Sequence, residues 1–215
     1  LLIKYRKIMK SIKPDYILTY TIKPNIYGGI VAAGRKIPYL PNVTGLGSAI
    51  ENGGLLNKFV LALYRYAFRK AKAVFFQNEV NQRFFKDKKI AENKHKLIPG
   101  SGVNLQHYSL LEYPAESEVN FAFIARIMKD KGAEEFFEAA KFICARYHYV
   151  KFHICGFCED AYEVELKQLQ ENGIVDFHGM VSDVRCVLKD MHCVVLPSYH
   201  EGMSNVLLEA AASGR

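Results

Sequence analysis

No apolar run in this chain approaches the roughly 20 residues that a helix needs to cross a bilayer. The longest, such as Ala73–Phe76 and Cys193–Pro197, stop far short of it. No basic, then apolar, then small-residue succession of the secretory kind opens the chain, so it reads as a protein that folds in the cytosol. Its five cysteines are odd in number. That count excludes a fully paired disulfide framework and points to reduced thiols used as small apolar side chains. Acid is scarce in one half only: residues 1–103 hold 19 Lys/Arg against 5 Asp/Glu, a net of +14, whereas residues 104–215 hold 10 against 17, a net of −7. The excess of one sign implies that the first half faces something anionic, whether a membrane surface, a phosphorylated acceptor or nucleic acid. A merely solvated basic face accounts for the same count.

What the chain does have is β/α alternation, with no internal repeat. Short apolar runs at Tyr16–Tyr20, Tyr39–Val43, Ala73–Gln77 and Lys96–Ile98 predict strands in the first half, and Asn25–Ala33, Leu55–Lys72 and Glu79–Lys86 predict helices between them. In the second half the expected strands are Asn120–Ile124, Val150–Cys155, Val175–His178 and Cys193–Leu196. The expected helices lie near Ala133–Tyr147, Ala161–Asn172, Asp183–Asp190 and Ser204–Ala212. Strands that are continuously apolar imply sheets covered on both faces. The expectation is an α/β protein of two Rossmann-like domains with parallel sheets, residues 1–103 and 104–215, joined near the turn run Pro99-Gly100-Ser101-Gly102. Ligands of such sheets bind outside the carboxyl ends of the strands. The opening at Leu1 without an initiating Met, and the stop at Arg215 where another strand is expected, read as truncation of both domains.

The strongest local signal is Leu196-Pro-Ser-Tyr-His-Glu-Gly-Met-Ser-Asn-Val-Leu-Leu-Glu209, a strand, a turn and a helix. Glu201 falls in the turn and Glu209 on the helix, and carboxylates accept hydrogen bonds from the hydroxyls of ribose or hexose. The amides of Gly202, Met203, Ser204 and Asn205 sit at the helix N-terminus, where unpaired N–H groups and the helix dipole favour an anion. A Ser-capped helix with two solvated glutamates has the same spacing. The second signal, Phe121 to Gly132, sends Arg126 and then Lys131 into the loop after a buried strand. A planar guanidinium and a point-charge ammonium together suit a diphosphate, although surface charges in a connection have the same appearance.

These residues, with Phe152-His-Ile-Cys-Gly156 and Val175-Asp-Phe-His-Gly-Met-Val181, make the sequence resemble glycosyltransferase family 4, of the GT-B fold and the bacterial surface-polysaccharide type. Pro24-Asn-Ile-Tyr-Gly-Gly29, Val43-Thr-Gly-Leu-Gly47 and Ile98-Pro-Gly-Ser-Gly-Val-Asn104 resemble the acceptor-domain and linker segments of transferases that extend lipid-diphosphate-linked sugars. The resemblance implies a retaining transferase that moves a sugar from a nucleotide diphosphate, UDP above all, to a lipid-linked or saccharide acceptor at the cytoplasmic face of a membrane. Arg126 and Lys131 would grip the diphosphate, Glu209 the ribose and Glu201 the transferred sugar. Gly156 and Gly202 to Asn205 would lie beside sugar and phosphate, Gly179, Met180 and Val181 near the base, and Thr44, Gly45 and Gly47 on the acceptor side. No cofactor or metal is implied, in line with the lack of an Asp-x-Asp motif. Many relatives carry a His where this chain has Thr44, so no acid/base role transfers there.

A sugar-nucleotide epimerase of the same architecture is one alternative. A non-catalytic nucleotide-binding fragment, or a basic nucleic-acid binder, is the other, and the lack of an RNA-binding aromatic motif or a helix-turn-helix argues against nucleic acid. Cys155-Gly-Phe-Cys158 matches a redox pattern, but it interrupts a series of β/α units where the family often has glycine. Leu56, Phe59, Val60, Leu63, Ala67 and Phe68 recur at helical spacing, ahead of Arg69, Lys70 and Lys72. Packing of that apolar face against its sheet is the expected role, with insertion into a membrane interface the alternative.

Overall fold

The computed structural model describes residues 1–46, 54–115 and 117–215. The chain forms two compact units: Leu1–Ser101 together with His200–Met203, and Gly102–Tyr199 together with Ser204–Arg215.

The first unit runs α1 (Leu2–Ile12), β1 (Ile17–Tyr20), a π-helical turn (Pro24–Gly28), α2 (Gly29–Gly34), β2 (Tyr39–Val43), α3 (Gly54–Phe68), β3 (Val74–Phe76), α4 (Glu79–Asp87) and β4 (His95–Leu97). Its strands pair in the order β1-β2-β3-β4, all parallel. The helices that return the chain to each new strand bury an aromatic core: Tyr64 meets Phe68 and Phe85 edge-on, each at 5.1 Å between ring centres. The Tyr64 hydroxyl is buried without a partner among the described residues, and burial raises its pKa. Tyr39 instead donates its hydroxyl to the Ala67 carbonyl, tying β2 to the end of α3.

In the second unit come β5 (Val119–Ile124), a 3-10 turn (Lys129–Lys131), α5 (Ala133–Cys144), β6 (Val150–Cys155), a second 3-10 turn (Asp160–Tyr162) leading into α6 (Glu163–Glu171), β7 (Asp176–Phe177), α7 (Arg185–Leu188), β8 (Cys193–Val194) and α8 (Asn205–Ala212). The parallel order is β7-β6-β5-β8, so the direction of winding reverses at β5. Alternate residues of its strands serve two cores. Phe123, Phe152 and Ile154 pack with Phe136, Phe137, Leu166 and Leu169 on one face, and Ala122, Ile124 and Cys155 with Leu188, Met191 and Ala210 on the other. Such two-sided burial is what continuously apolar strands predict.

Several boundaries differ from the sequence expectation. The helix expected over Asn25–Ala33 begins as a π turn at Pro24, where a missing N–H costs nothing. The strand expected to reach Leu196 ends its ladder at Val194, although the Val195 N–H still donates to the Ala122 carbonyl at 2.8 Å. The helix expected over Asp183–Asp190 contracts to one turn. Leu56 and Phe59, expected to pack on the sheet, are exposed; the buried residues of α3 are Val60, Leu61, Tyr64, Ala67 and Phe68. No described helix is long and apolar enough to cross a membrane.

Candidate functional site

At the carboxyl ends of β5, β6 and β7 three connecting loops are bonded side by side. The Ala125 N–H donates to Cys155 O at 3.0 Å, the Ile127 N–H to Phe157 O at 2.8 Å, and the Gly156 N–H to Gly179 O at 2.8 Å. Gly156 permits this closeness. Its φ is +145°, and a Cβ there would lie 1.9 Å from the Ala125 carbonyl oxygen, so a side chain cannot be accommodated without moving the backbone.

These loops enclose a cavity of about 330 Å³ lined by Ile124–Arg126, Cys155–Phe157, Met180, Val181, Val184 and Val206. Its position outside the carboxyl ends of a doubly wound sheet is where such folds bind ligands. Four residues named from sequence, Arg126, Gly156, Met180 and Val181, line this one cavity. Arg126 is exposed, and Met180 is likewise uncovered. Sequence reasoning missed Phe157, Val184 and Val206. Phe157 and Val184 lie in or just beyond the same loops and Val206 on α8, and position was their only signal.

Lys131 does not line the cavity. It ends the 3-10 turn ahead of α5, and Gly132 follows at φ +74°. That glycine packs against the chain beyond β8, since a Cβ would stand 2.2 Å from the Pro197 carbonyl oxygen. The same turn is held by Ser198 Oγ and by the Tyr199 N–H, both donating to Asp130 O at 3.1 Å. The Tyr199 hydroxyl donates to Glu135, lowering the pKa of that carboxyl. The loops after β5 and β8, neighbours at the point where the winding reverses, are thus fixed to one another.

Glu209 lies on α8 close to the Tyr108 hydroxyl; burial first, and then the Glu209 charge, raise the Tyr108 pKa. Tyr108 was not anticipated from sequence. Ser204 caps α8, its Oγ accepting from the Leu207 N–H at 3.4 Å, and Asn205 opens the helix. The second unit therefore carries Arg126, Lys131, Gly156, Gly179, Met180, Val181, Ser204, Asn205 and Glu209.

Glu201, Gly202 and Met203 belong to the first unit. There Asn78 Nδ2 donates to the carbonyls of Glu201 at 3.0 Å and Gly202 at 2.7 Å, while its Oδ1 caps α4 through the Asn81 N–H at 2.7 Å. Gly202 sits against Thr44, whose carbonyl oxygen would be 1.8 Å from a Cβ. Met203 contacts Gly100, where a Cβ would meet the Met203 Cγ at 2.6 Å. Gly45 is open, with nothing within 4 Å of a Cβ position. Gly47 lies outside the described residues. Near Thr44, the buried Asn25 amide donates to Asn42 O at 2.8 Å, and Thr19 Oγ1, Asn25 Oδ1 and Asn42 Oδ1 have no partner among the described residues. No group of three His, Cys, Asp or Glu side chains could hold a metal ion among the described residues.

Comparison with known proteins accords with this geometry. Residues 1–78 match the family model described as "Glycosyl transferase 4-like", and residues 118–215 the one described as "Glycosyl transferases group 1". An N,N'-diacetylbacillosaminyl-diphospho-undecaprenol alpha-1,3-N-acetylgalactosaminyltransferase of Campylobacter jejuni is 30% identical over 226 residues, covering 97% of this chain and 59% of that protein. An uncharacterized glycosyltransferase of Methanocaldococcus jannaschii is 25% identical, covering 96% of this chain and 55% of its own. Among solved structures, Anabaena HepE in complex with UDP-glucose superposes with a TM-score of 0.80 at 18% identity, covering 100% of this chain and 61% of HepE, a likeness of fold. This chain spans less than two thirds of each of these proteins. With both sheets parallel, the cavity at the strand ends and both family models matched, the chain belongs to the GT-B glycosyltransferases of the family 4 type.

Proposed function

We propose that the complete protein transfers a sugar from a nucleotide diphosphate, in the first instance UDP, to a lipid-linked acceptor, with retention of anomeric configuration, in the assembly of a cell-surface polysaccharide. The observation that carries this reading is the cavity at the ends of β5, β6 and β7, where an exposed guanidinium faces a wall kept free of side chain at Gly156. Such a site suits a nucleotide diphosphate: the apolar lining accepts a base, and the cation accepts the charge. As the bond from the anomeric carbon to the β-phosphate oxygen breaks, negative charge gathers on the diphosphate, and fixed cations in a water-poor site stabilise it. Arg126 and Lys131 take that role. Glu209, oriented by Tyr108, binds the ribose hydroxyls, and Glu201 those of the transferred sugar. The lipid-linked acceptor follows the named Campylobacter relative, and the basic first half suits work at the cytoplasmic face of an anionic membrane.

The test is transfer by the full-length protein from a panel of UDP-, GDP- and dTDP-sugars to polyprenyl-diphosphate-linked saccharides, with product analysis. A glycosylated acceptor of unchanged anomeric sense is expected. A ring-inverted sugar nucleotide formed without acceptor would replace this reading with an epimerase. Neither binding nor turnover of any sugar nucleotide would remove it altogether.

A further inference from the structure

Helix α3 is apolar on two opposite faces. One packs on the sheet through Val60, Tyr64 and Ala67. The other is turned to solvent: Leu55, Phe59, Ala62 and Tyr66 recur at i, i+4, i+7 and i+11 and form one continuous outward stripe. Leu55 is 84% exposed, Phe59 61% and Tyr66 51%. A helix that packs one face on a core ordinarily turns polar residues outward, so packing among the described residues does not account for this stripe.

The surroundings of the stripe are basic. Lys58, Arg65 and Arg69 flank it along one side, and all three are exposed. Lys70 and Lys72 follow, and from Gly54 to Asn78 the sequence contains those five cations and no Asp or Glu. None of the five makes an ion pair among the described residues: Arg65 donates to the Lys88 carbonyl at 2.8 Å, and the Arg69 guanidinium lies 4.4 Å from the Tyr66 ring centre. By contrast Lys141, Lys151 and Arg185, in the second unit, are each paired with a carboxylate.

We propose that the outward face of α3 is a docking surface for a bilayer rich in anionic phospholipid. Leu55 and Phe59 enter the boundary between headgroups and acyl chains, Tyr66 lies at headgroup level, and Lys58, Arg65 and Arg69 meet the lipid phosphates. Apolar insertion and cationic attraction together are what hold an interfacial helix, and either alone holds it weakly. An anionic bilayer supplies both complements in one surface, phosphates for the cations and the acyl-chain boundary for the projecting Leu and Phe. The surface rests on the lipid-linked-acceptor reading only for its purpose; the residues that form it are independent of the donor site.

Sedimentation of the full-length protein with phosphatidylcholine vesicles, with and without phosphatidylglycerol, tests this directly. Binding is expected with the anionic vesicles and should weaken as salt rises. Neutralising two cations in Arg65→Gln/Arg69→Gln should weaken it about thirtyfold, and Leu55→Gln/Phe59→Gln about tenfold or more. UDP-sugar binding by both variants, measured alongside, should match the wild type, which shows that they fold and keeps this test apart from that of the donor site. Wild-type protein that ignores anionic vesicles, or variants that bind them as tightly, would overturn the proposal. So would a concentration-dependent dimer that Leu55→Gln/Phe59→Gln abolishes, since the stripe would then be covered by a second copy.

Discussion

Cys155 and Cys158 show how a motif read from spacing changes meaning once each thiol has a place. Cys155 ends β6 in the core beneath the cavity, and burial pushes its pKa up to about 11; Cys158 is raised as well, by burial and then by Glu163, Asp160 and Glu159. A thiol so protonated is a poor nucleophile. With iodoacetamide at neutral pH, mass spectrometry should find the exposed Cys186 modified well before Cys155. Rapid labelling of Cys155 would restore the redox reading. His153 gives a second residue-scale prediction. Its ring lies 3.0 Å from the His178 ring through Nδ1 and Nε2, and 3.9 Å from Asp176. Burial lowers its pKa below 6.5, against the opposing pull of Asp176. The unfolded chain therefore takes up this proton first as pH falls, so stability present above pH ~6.5 declines on acidification toward the folded-state pKa. An NMR titration should place the His153 midpoint below 6.5, and a midpoint above it would contradict the burial argument. Arg126 could be found from sequence because a cation after a buried strand is conspicuous. Tyr108 and Asn78 could not, since each acts on a residue about a hundred or more positions away and carries no local pattern.

At the scale of elements, the strands and helices were legible because their apolar periods are strong, whereas their ends depend on partners. The β8 ladder stops at Val194, and the chain beyond it is held instead by the turn ahead of α5, a long-range contact that no propensity encodes. On α3 the apolar period was read but not the face, because two apolar stripes on one helix cannot be ranked from sequence alone. Gly156 joins two strand ends through its bare backbone. Gly156→Ala should cost about 2 kcal/mol or more, from the disfavoured φ and the collision with Ala125, and should weaken nucleotide binding; denaturant unfolding with a UDP titration measures both. Asn78 separates two roles by chemistry. Asn78→Asp keeps an acceptor for the α4 cap but loses the donor to Glu201 and Gly202, whereas Asn78→Ala loses both. Loss of the cap alone costs about 1 kcal/mol. The Asp variant should therefore retain that part of the stability while transfer falls as far as in the Ala variant. Equal activity in wild type and Asp variant would show that the Asn78 donor does not position the loop.

For the molecule as a whole, the alternation of strands and helices predicted two parallel sheets, as found, and the two halves carry opposite net charge. The four-residue constellation of Arg126, Lys131, Glu201 and Glu209 was read as a single unit. Three of them stand in the second unit, Arg126 and Lys131 in the single connection after β5 and Glu209 on α8, and Glu201 is grouped with the first. Because the proposed chemistry assigns the leaving diphosphate to Arg126 and Lys131, excess EDTA should leave transfer by the full-length protein unchanged. Loss of activity restored by a divalent ion would transfer that charge to a metal. The central claim is that the cavity beside Gly156 receives a nucleotide sugar, and calorimetric titration of the full-length protein and its Arg126→Ala variant with UDP-sugars measures it most directly. The account predicts one site per chain in the wild type, with affinity falling at least tenfold in the variant, as expected for the loss of a charged contact to phosphate. Unchanged affinity in Arg126→Ala would contradict it.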